Sequence, residues 1–360
     1  MPPDIQAVPK FMRAAVYKGE ARVAVESIPT PTIGRGEILI RVEACGVCHT
    51  DLKKVEYNLL PPPRVYGHET AGVVAQVGAS VSRFKVGDRV IVFHHIPCGA
   101  CFYCARKLYA QCPVYKKVGV TAGFEPAGGG FAQYVRVMDW IVERGVEIIP
   151  DGVSLATASF VEPLNTCLKA VTQLAPAKGD VVLVAGQGPI GLIFTMLLHA
   201  RGERVISSDT MPNRRALALK CGAESSHDPR STELLAELKK LTDGRGADAA
   251  IVAASAKGIV ESAIACTRPG AEIVLFAQTS DKERVELSGA SICVGERILR
   301  GCYSASVDVQ KESIELVFGG TLPLDLLLTD RYPLEEINTA FHLASHPSEY
   351  SLKVVVEPQR

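Results

Sequence analysis

Hydrophobic positions in the first 150 residues come in short β-branched runs that end at Gly, Pro or Asp. "MRAAVYKG", "ARVAVESIP", "GEILIRVEACG", "TAGVVAQVG" and "GDRVIVF" are of this kind, and they predict a small β-barrel. A plain antiparallel sheet fits the same pattern but leaves the embedded Cys and His residues unexplained. Near Asp151 the period changes. "SLATASFVEPLNTCLKAVTQL" reads as helical with a break at Pro163. "GDVVLVAGQGPIGLIFTMLLHARGERVISSD" then gives a buried strand, a Gly-rich turn, an apolar helix and a second strand. "RRALALKCGA" is a helix closed by Gly222. "STELLAELKKLTDGRG", "ADAAIVAA", "IVESAIACTRPG" and "AEIVLFAQ" continue as helix, strand, helix, strand. Alternation at this spacing predicts a doubly wound parallel sheet with helices on both faces, an α/β class. After "RILRGCYSAS" the pattern loses regularity, and the chain carries no internal repeat and no low-complexity tract.

Length agrees with that change of style. At roughly 150 residues per domain, 360 residues make about two domains. The 39 basic and 39 acidic side chains cancel, so no long-range field draws the chain to nucleic acid, membrane or acidic polymers. Met1 to Lys10 is Pro-rich without the apolar core of a signal peptide and reads as a loose extension. The most apolar stretch, Pro189 to Ala200, is too short to span a bilayer. A cytoplasmic, reduced protein is the expectation. The eleven cysteines are then expected to serve metals or to lie buried rather than to form bridges.

Gly186-Gln187-Gly188-Pro189-Ile190-Gly191 matches G-x-G-x-x-G after a strand and before a helix, the context a dinucleotide site requires. The first Gly makes the turn, the second admits a pyrophosphate, and the third lets helix and strand pack closely. Asp209 ends the next strand and can accept hydrogen bonds from the adenosine ribose while repelling a 2′-phosphate. That favours NAD. Arg214 and Arg215 follow and could flank the adenine, which leaves the NADP reading open.

Cys98, Cys101, Cys104 and Cys112 form C-x2-C-x2-C-x7-C. Four thiolates so close can enclose one Zn²⁺ with no open position, a structural site. The loop between them has little core of its own, so the metal must organise it. An iron–sulfur cluster is the other metal reading, but the spacing differs from the ferredoxin runs. A disulfide pair is the alternative that a reduced compartment disfavours.

Other polar residues are dispersed: Cys48 in "CGVCHTD", His68 and Glu69 in "YGHET", Glu162 in "FVEPL". Each alone reads as ordinary packing. Together they offer a thiolate, an imidazole and two carboxylates, a set able to hold Zn²⁺ and leave a place for water or substrate.

Taken in order, these motifs with "GHETAGVVAQVG", "VGDRV" and "GGGFAQYVRV" resemble the zinc-dependent medium-chain dehydrogenase/reductase family. Within it the chain is similar to the sorbitol (polyol) and threonine dehydrogenase branch, from Met12 onward. The resemblance implies a chaperonin-10-like β-barrel catalytic domain over residues 1–157, with a structural zinc lobe at about 95–115. It implies a Rossmann NAD-binding domain over 158–300, a return to the catalytic domain over 301–360, and an active site in the cleft between them.

The same resemblance implies two Zn²⁺ per chain. Cys48, His68 and Glu69 hold the catalytic one, with Glu162 in fourth place directly or through water; the four-cysteine lobe holds the other. Glu162 stands where alcohol dehydrogenases proper use a cysteine, which argues for the polyol branch; Cys167 is expected to be packed. Asp51 is implied as the partner orienting His68, His49 as a pyrophosphate contact, and Thr50 as the hydroxyl bonded to the substrate oxygen. His95 matches a histidine lining the pocket of threonine dehydrogenases. Lys53 stands where many members have the last histidine of a proton relay, so water, Lys53 or His95 must carry the proton out.

The implied activity is hydride transfer between NAD and a secondary alcohol: a polyol, a sugar or a related hydroxy compound. A threonine-type amino alcohol or a sugar phosphate is the alternative substrate. No basic cluster near the ligands announces a phosphate. A zinc- or nucleotide-binding protein without catalysis is the remaining alternative. "AEIVLFAQ" and "ERILRGCYSAS" are expected at one end of the Rossmann sheet, where an apolar edge invites a homodimer or homotetramer. The six cysteines outside both sites, Cys45, Cys167, Cys221, Cys266, Cys293 and Cys302, are expected as core thiols.

Overall fold

The computed structural model describes residues 7–115, 117, 119–277 and 284–360. The first six residues of the expected loose extension and Gln278 of "AEIVLFAQ" lie outside these. The chain divides into two compact units, Met1–Pro163 with Ala305–Arg360, and Leu164–Ser304.

The first unit is built on a curled eight-stranded sheet. Along its main path the order is Leu328–Pro333, Lys353–Glu357, Ile38–Gly46, Glu69–Val77, Arg89–Val92 and Val146–Ile148. Strand Ile38–Gly46 is its centre. It pairs antiparallel with Glu69–Val77 on one side, and on the other with Tyr134–Val137 and with the end of Lys353–Glu357. Burial of Ile38, Ile40, Val42, Val135 and Val355 encloses an apolar interior. The C-terminal strand therefore returns to a sheet begun three hundred residues earlier, at Cys45 and Gly46. Phe11–Gly19, Arg22–Pro29 and Arg64–Val65 form a separate three-stranded sheet.

The second unit is a six-stranded parallel sheet. Its order is Ser225–His227, Arg204–Ser208, Val181–Ala185, Ala247–Val252, Thr267–Leu275, Ile298–Gly301. All five residues of Val181–Ala185 are buried, as a strand covered on both faces requires. Helix Pro189–Arg201 follows it directly, with proline at its first position, where the missing N–H costs nothing. A Cβ on Gly191 would stand 1.8 Å from the Gly186 carbonyl oxygen, so only glycine lets this helix start so close to its strand. Strand order reverses at Val181–Ala185, the topological switch where open α/β sheets bind ligands.

Three local expectations are corrected. Helix Val161–Leu174 runs through Pro163, and the break falls at residues 159–160, after helix Leu155–Ala158. Pro163 sits in the first turn, where backbone N–H groups have no partner inside the helix to lose. Helix Ile259–Cys266 stops before "TRPG", which opens strand Thr267–Leu275. Cys293 is exposed rather than in the core. Its neighbour Ile292 packs against the parallel sheet's core, and the next residue on a helix points elsewhere.

Candidate zinc and dinucleotide sites

Cys48 caps the N-terminus of helix His49–Glu56 in extended conformation. The helix turns Asp51, Leu52 and Val55 inward, while His49 is exposed and Thr50 and Lys53 are half-buried. His68 and Glu69 enter from strand Glu69–Val77 and the residue before it. One donor atom each from Cys48, His68 and Glu69 lies within 4.8 Å of the others. His68 Nδ1 is 3.1 Å from both carboxylate oxygens of Asp51, which is buried. An ionised carboxylate can only accept, so Nδ1 carries a proton and Nε2 is the ring nitrogen left to face a metal.

Charge follows geometry here. Burial works to raise the Asp51 carboxyl, but His68 and Lys54 hold it below the usual range. Burial works against a charge on His68, yet Asp51 and Cys48 raise it well above an ordinary imidazole. The anions that draw a proton to this ring also draw a cation. The donor set of one thiolate, one imidazole and one carboxylate fits Zn²⁺ with a position left open.

Glu162 is not among the three converging donors. It lies buried in the first turn of Val161–Leu174, with Oε1 3.5 Å from His95 Nδ1. His95 is 2 % exposed, with the His94 ring centroid 4.0 Å away and that of Tyr115 at 5.2 Å. Cys167 is buried in the second unit, its Sγ 3.9 Å from the Ile190 carbonyl.

One residue of this site went unread in the sequence. Lys353, 6 % exposed, is ion-paired with Glu69 and donates to the Val47 carbonyl at 3.1 Å. Burial works to strip its proton, but Glu69 and Cys48 keep it charged beyond a normal lysine. A Cβ on Gly46 would lie 1.9 Å from Glu69 Oε2 and 2.8 Å from Lys353 Cε, so glycine makes room for the pair. The signal was a lone lysine opening the apolar run "KVVVE". Its partner lies too far along the chain for spacing to connect them.

The four lobe cysteines also bring their sulfurs within 4.8 Å of one another. Cys101 Sγ is 3.5 Å and Cys98 Sγ 3.9 Å from Cys104 Sγ. Burial works to raise the Cys112 thiol, but backbone N–H groups of Cys98, Tyr115 and Val114 pull it down to about 6. Burial and the neighbouring sulfurs push Cys104 up to about 12. A divalent cation relieves that second conflict by neutralising the crowded thiolates, so this donor set fits Zn²⁺.

In the second unit Asp209 is buried at the end of Arg204–Ser208. Its Oδ2 accepts from Gln187 N at 2.7 Å and its Oδ1 from Met211 N at 2.8 Å. The carboxylate is thus fixed beside the Gly186–Gly191 turn with lone pairs to spare. Arg215 Nη1 is engaged by the Asp209 and Thr210 carbonyls and by Asp228. Arg214 points instead toward the turn, its Nη1 3.9 Å from where a Gly188 Cβ would be, with its buried Nε unpartnered.

A barrel carrying a three-donor cation site and a parallel sheet carrying a dinucleotide turn define a zinc-dependent medium-chain dehydrogenase, and the chain belongs to that family. Residues 34–146 match the alcohol dehydrogenase GroES-like domain and residues 189–318 the zinc-binding dehydrogenase domain. The chain is 32 % identical to sorbitol dehydrogenase of Bacillus subtilis (strain 168), covering 98 % of this chain and 99 % of that protein. It is 31 % identical to L-threonine 3-dehydrogenase of Pyrococcus abyssi, covering 88 % and 90 %. A zinc-binding dehydrogenase fold from Sinorhizobium meliloti 1021, solved bound to NADP, superposes with a TM-score of 0.85 at 27 % identity, covering 97 % and 100 %. The protein is an alcohol/polyol oxidoreductase that uses zinc and a nicotinamide cofactor. No helix among the described residues is long and apolar enough to cross a membrane.

Proposed function

We propose that the chain oxidises a secondary alcohol of the polyol type with NAD, using one zinc at Cys48, His68 and Glu69 and a second in the four-cysteine lobe. The carrying observation is the convergence of those three donors with Asp51 behind the imidazole. When bound, the zinc acidifies an alcohol hydroxyl and the nicotinamide accepts hydride. The residues do the rest. Asp51 holds the His68 ring in one tautomer. Thr50, half-buried two residues after Cys48, takes the hydroxyl proton and passes it toward solvent by way of water, Lys53 or His95. Glu162 completes the donor set directly or through water, and His95 opposite it lines the substrate pocket.

Cofactor choice rests on Asp209, whose fixed carboxylate accepts from a ribose diol and repels a phosphate. Arg215, tied to backbone and to Asp228, is not available to invite that phosphate, which favours NAD over NADP. Arg214 is assigned to the pyrophosphate side of the turn, together with Gly186, Gly188, Pro189, Ile190 and Gly191. Five of the eleven cysteines are assigned to zinc, a use of thiolates that fits a reduced, cytosolic setting. Strand Ile298–Gly301 ends the parallel sheet beside exposed Val294 and Ile298, which supports pairing with a second copy.

Cys48→Ala tests this reading. Turnover should fall at least about a thousandfold, the scale of several kcal/mol of lost charge stabilisation. Binding of NADH, followed by fluorescence, should survive. Retained turnover would remove Cys48 from the reaction.

A further inference from the structure

The four-cysteine lobe is not confined to its own loop. Tyr115, three residues past Cys112, is 5 % exposed and packs in one apolar cluster with Cys104 and Cys112. Its backbone N–H donates to the Cys112 carbonyl at 3.1 Å. Its hydroxyl donates to the Ala305 carbonyl at 3.2 Å, tying the lobe to the segment that returns to this unit. The face of its ring lies against His95, centroids 5.2 Å apart and planes tilted by 38°.

His95 is enclosed from several directions. His94 lies 4.0 Å away and Phe93 5.5 Å, while the His68 ring meets it edge-on at 6.1 Å. Its Nδ1 addresses Glu162. A buried imidazole clamped between rings has few rotamers left, and the ring on the lobe side is Tyr115. We propose that Tyr115 is a positioning residue: it carries the geometry of the closed cysteine site to His95 and, through His95, to Glu162. The lobe thereby shapes the substrate side of the open site instead of acting only as a local clasp. This rests on the reading that His95 and Glu162 face the substrate.

The chain of contacts predicts a selective defect. Tyr115→Leu removes the ring but keeps an apolar side chain, so the lobe retains its metal. The KM for the alcohol should rise about tenfold, the loss expected from a displaced pocket residue, while the KM for NAD stays unchanged. Tyr115→Phe keeps the ring and should restore the wild-type alcohol KM. With Co²⁺ in the open site, the leucine variant should show shifted visible absorption bands and the phenylalanine variant should not. In a double-mutant cycle, His95→Ala with Tyr115→Leu should be no worse than His95→Ala alone. If the leucine variant does not accumulate, Tyr115→Met serves in the same comparisons.

Unchanged alcohol KM and cobalt bands in the leucine variant would overturn the proposal. So would a parallel rise in both KM values accompanied by loss of lobe zinc, which marks general loosening. Additive effects in the cycle would overturn it as well. Failure here leaves Cys48→Ala inactive, whereas failure of the functional reading leaves Cys48→Ala active, so the two are distinguishable.

Discussion

The two cysteine-bearing sites of the first unit solve opposite problems. In the lobe, four ligands of one kind lie within fifteen residues and their sulfurs crowd together. Backbone amides and neighbouring sulfurs supply the fine control, lowering Cys112 while Cys104 is driven up. At Cys48, His68 and Glu69 the donors differ in kind and come from two places in the chain, a helix N-terminus and a strand start, and two of them have a buried charged neighbour. Asp51 stands behind His68, and Lys353 stands beside Glu69. A closed site needs ligands alone. An open site must also hold its ligands in place while a coordination position stays free, and it does so with buried counter-charges.

The sharpest way to break this contrast is Lys353→Met. It strands a buried carboxylate at Glu69, and breaking such a pair costs about 3–5 kcal/mol. A bound cation should recover part of that loss, so the fall in melting temperature should be larger after chelation than with zinc present. Equal falls would mean that Glu69 and the cation do not meet. Asp51→Asn comes next. It keeps the shape but weakens the hold on His68, and it should lower zinc affinity or turnover about 10–100-fold, read by competition with a chelating dye. Lobe zinc should be untouched. The smallest effect should come from Asp209→Ala in the other unit. Removing the ribose acceptor should shift the NAD/NADP preference about tenfold, within the range for a hydrogen bond to a charged group, and leave the zinc content alone. An unchanged preference would exclude the ribose contact.

Legibility in the sequence followed distance along the chain. The lobe and the Gly186–Gly191 turn are local, and each could be read from spacing and flanking pattern. The parallel sheet was readable because each strand–helix step repeats the same hydrophobic rhythm. Cys48, His68 and Glu69 look ordinary one by one; together with Glu162 they suggest a metal set by donor type, and the family resemblance is what assigns them to one site. Lys353 escaped because a lysine before "VVVE" looks like a strand end at the surface, while its acceptor at Val47 is 306 residues away. Pro163 and Cys293 misled for a simpler reason. Residue type alone does not show that a proline occupies a first turn, or that a cysteine beside a buried isoleucine points to water.

The central claim is one open and one closed zinc site in a single chain, and metal analysis tests it most directly. Purified protein should contain about two zinc per chain, and Cys48→Ala should contain about one, with the lobe still resistant to a chelating dye. One zinc in the unaltered protein, or two in the variant, would contradict the account.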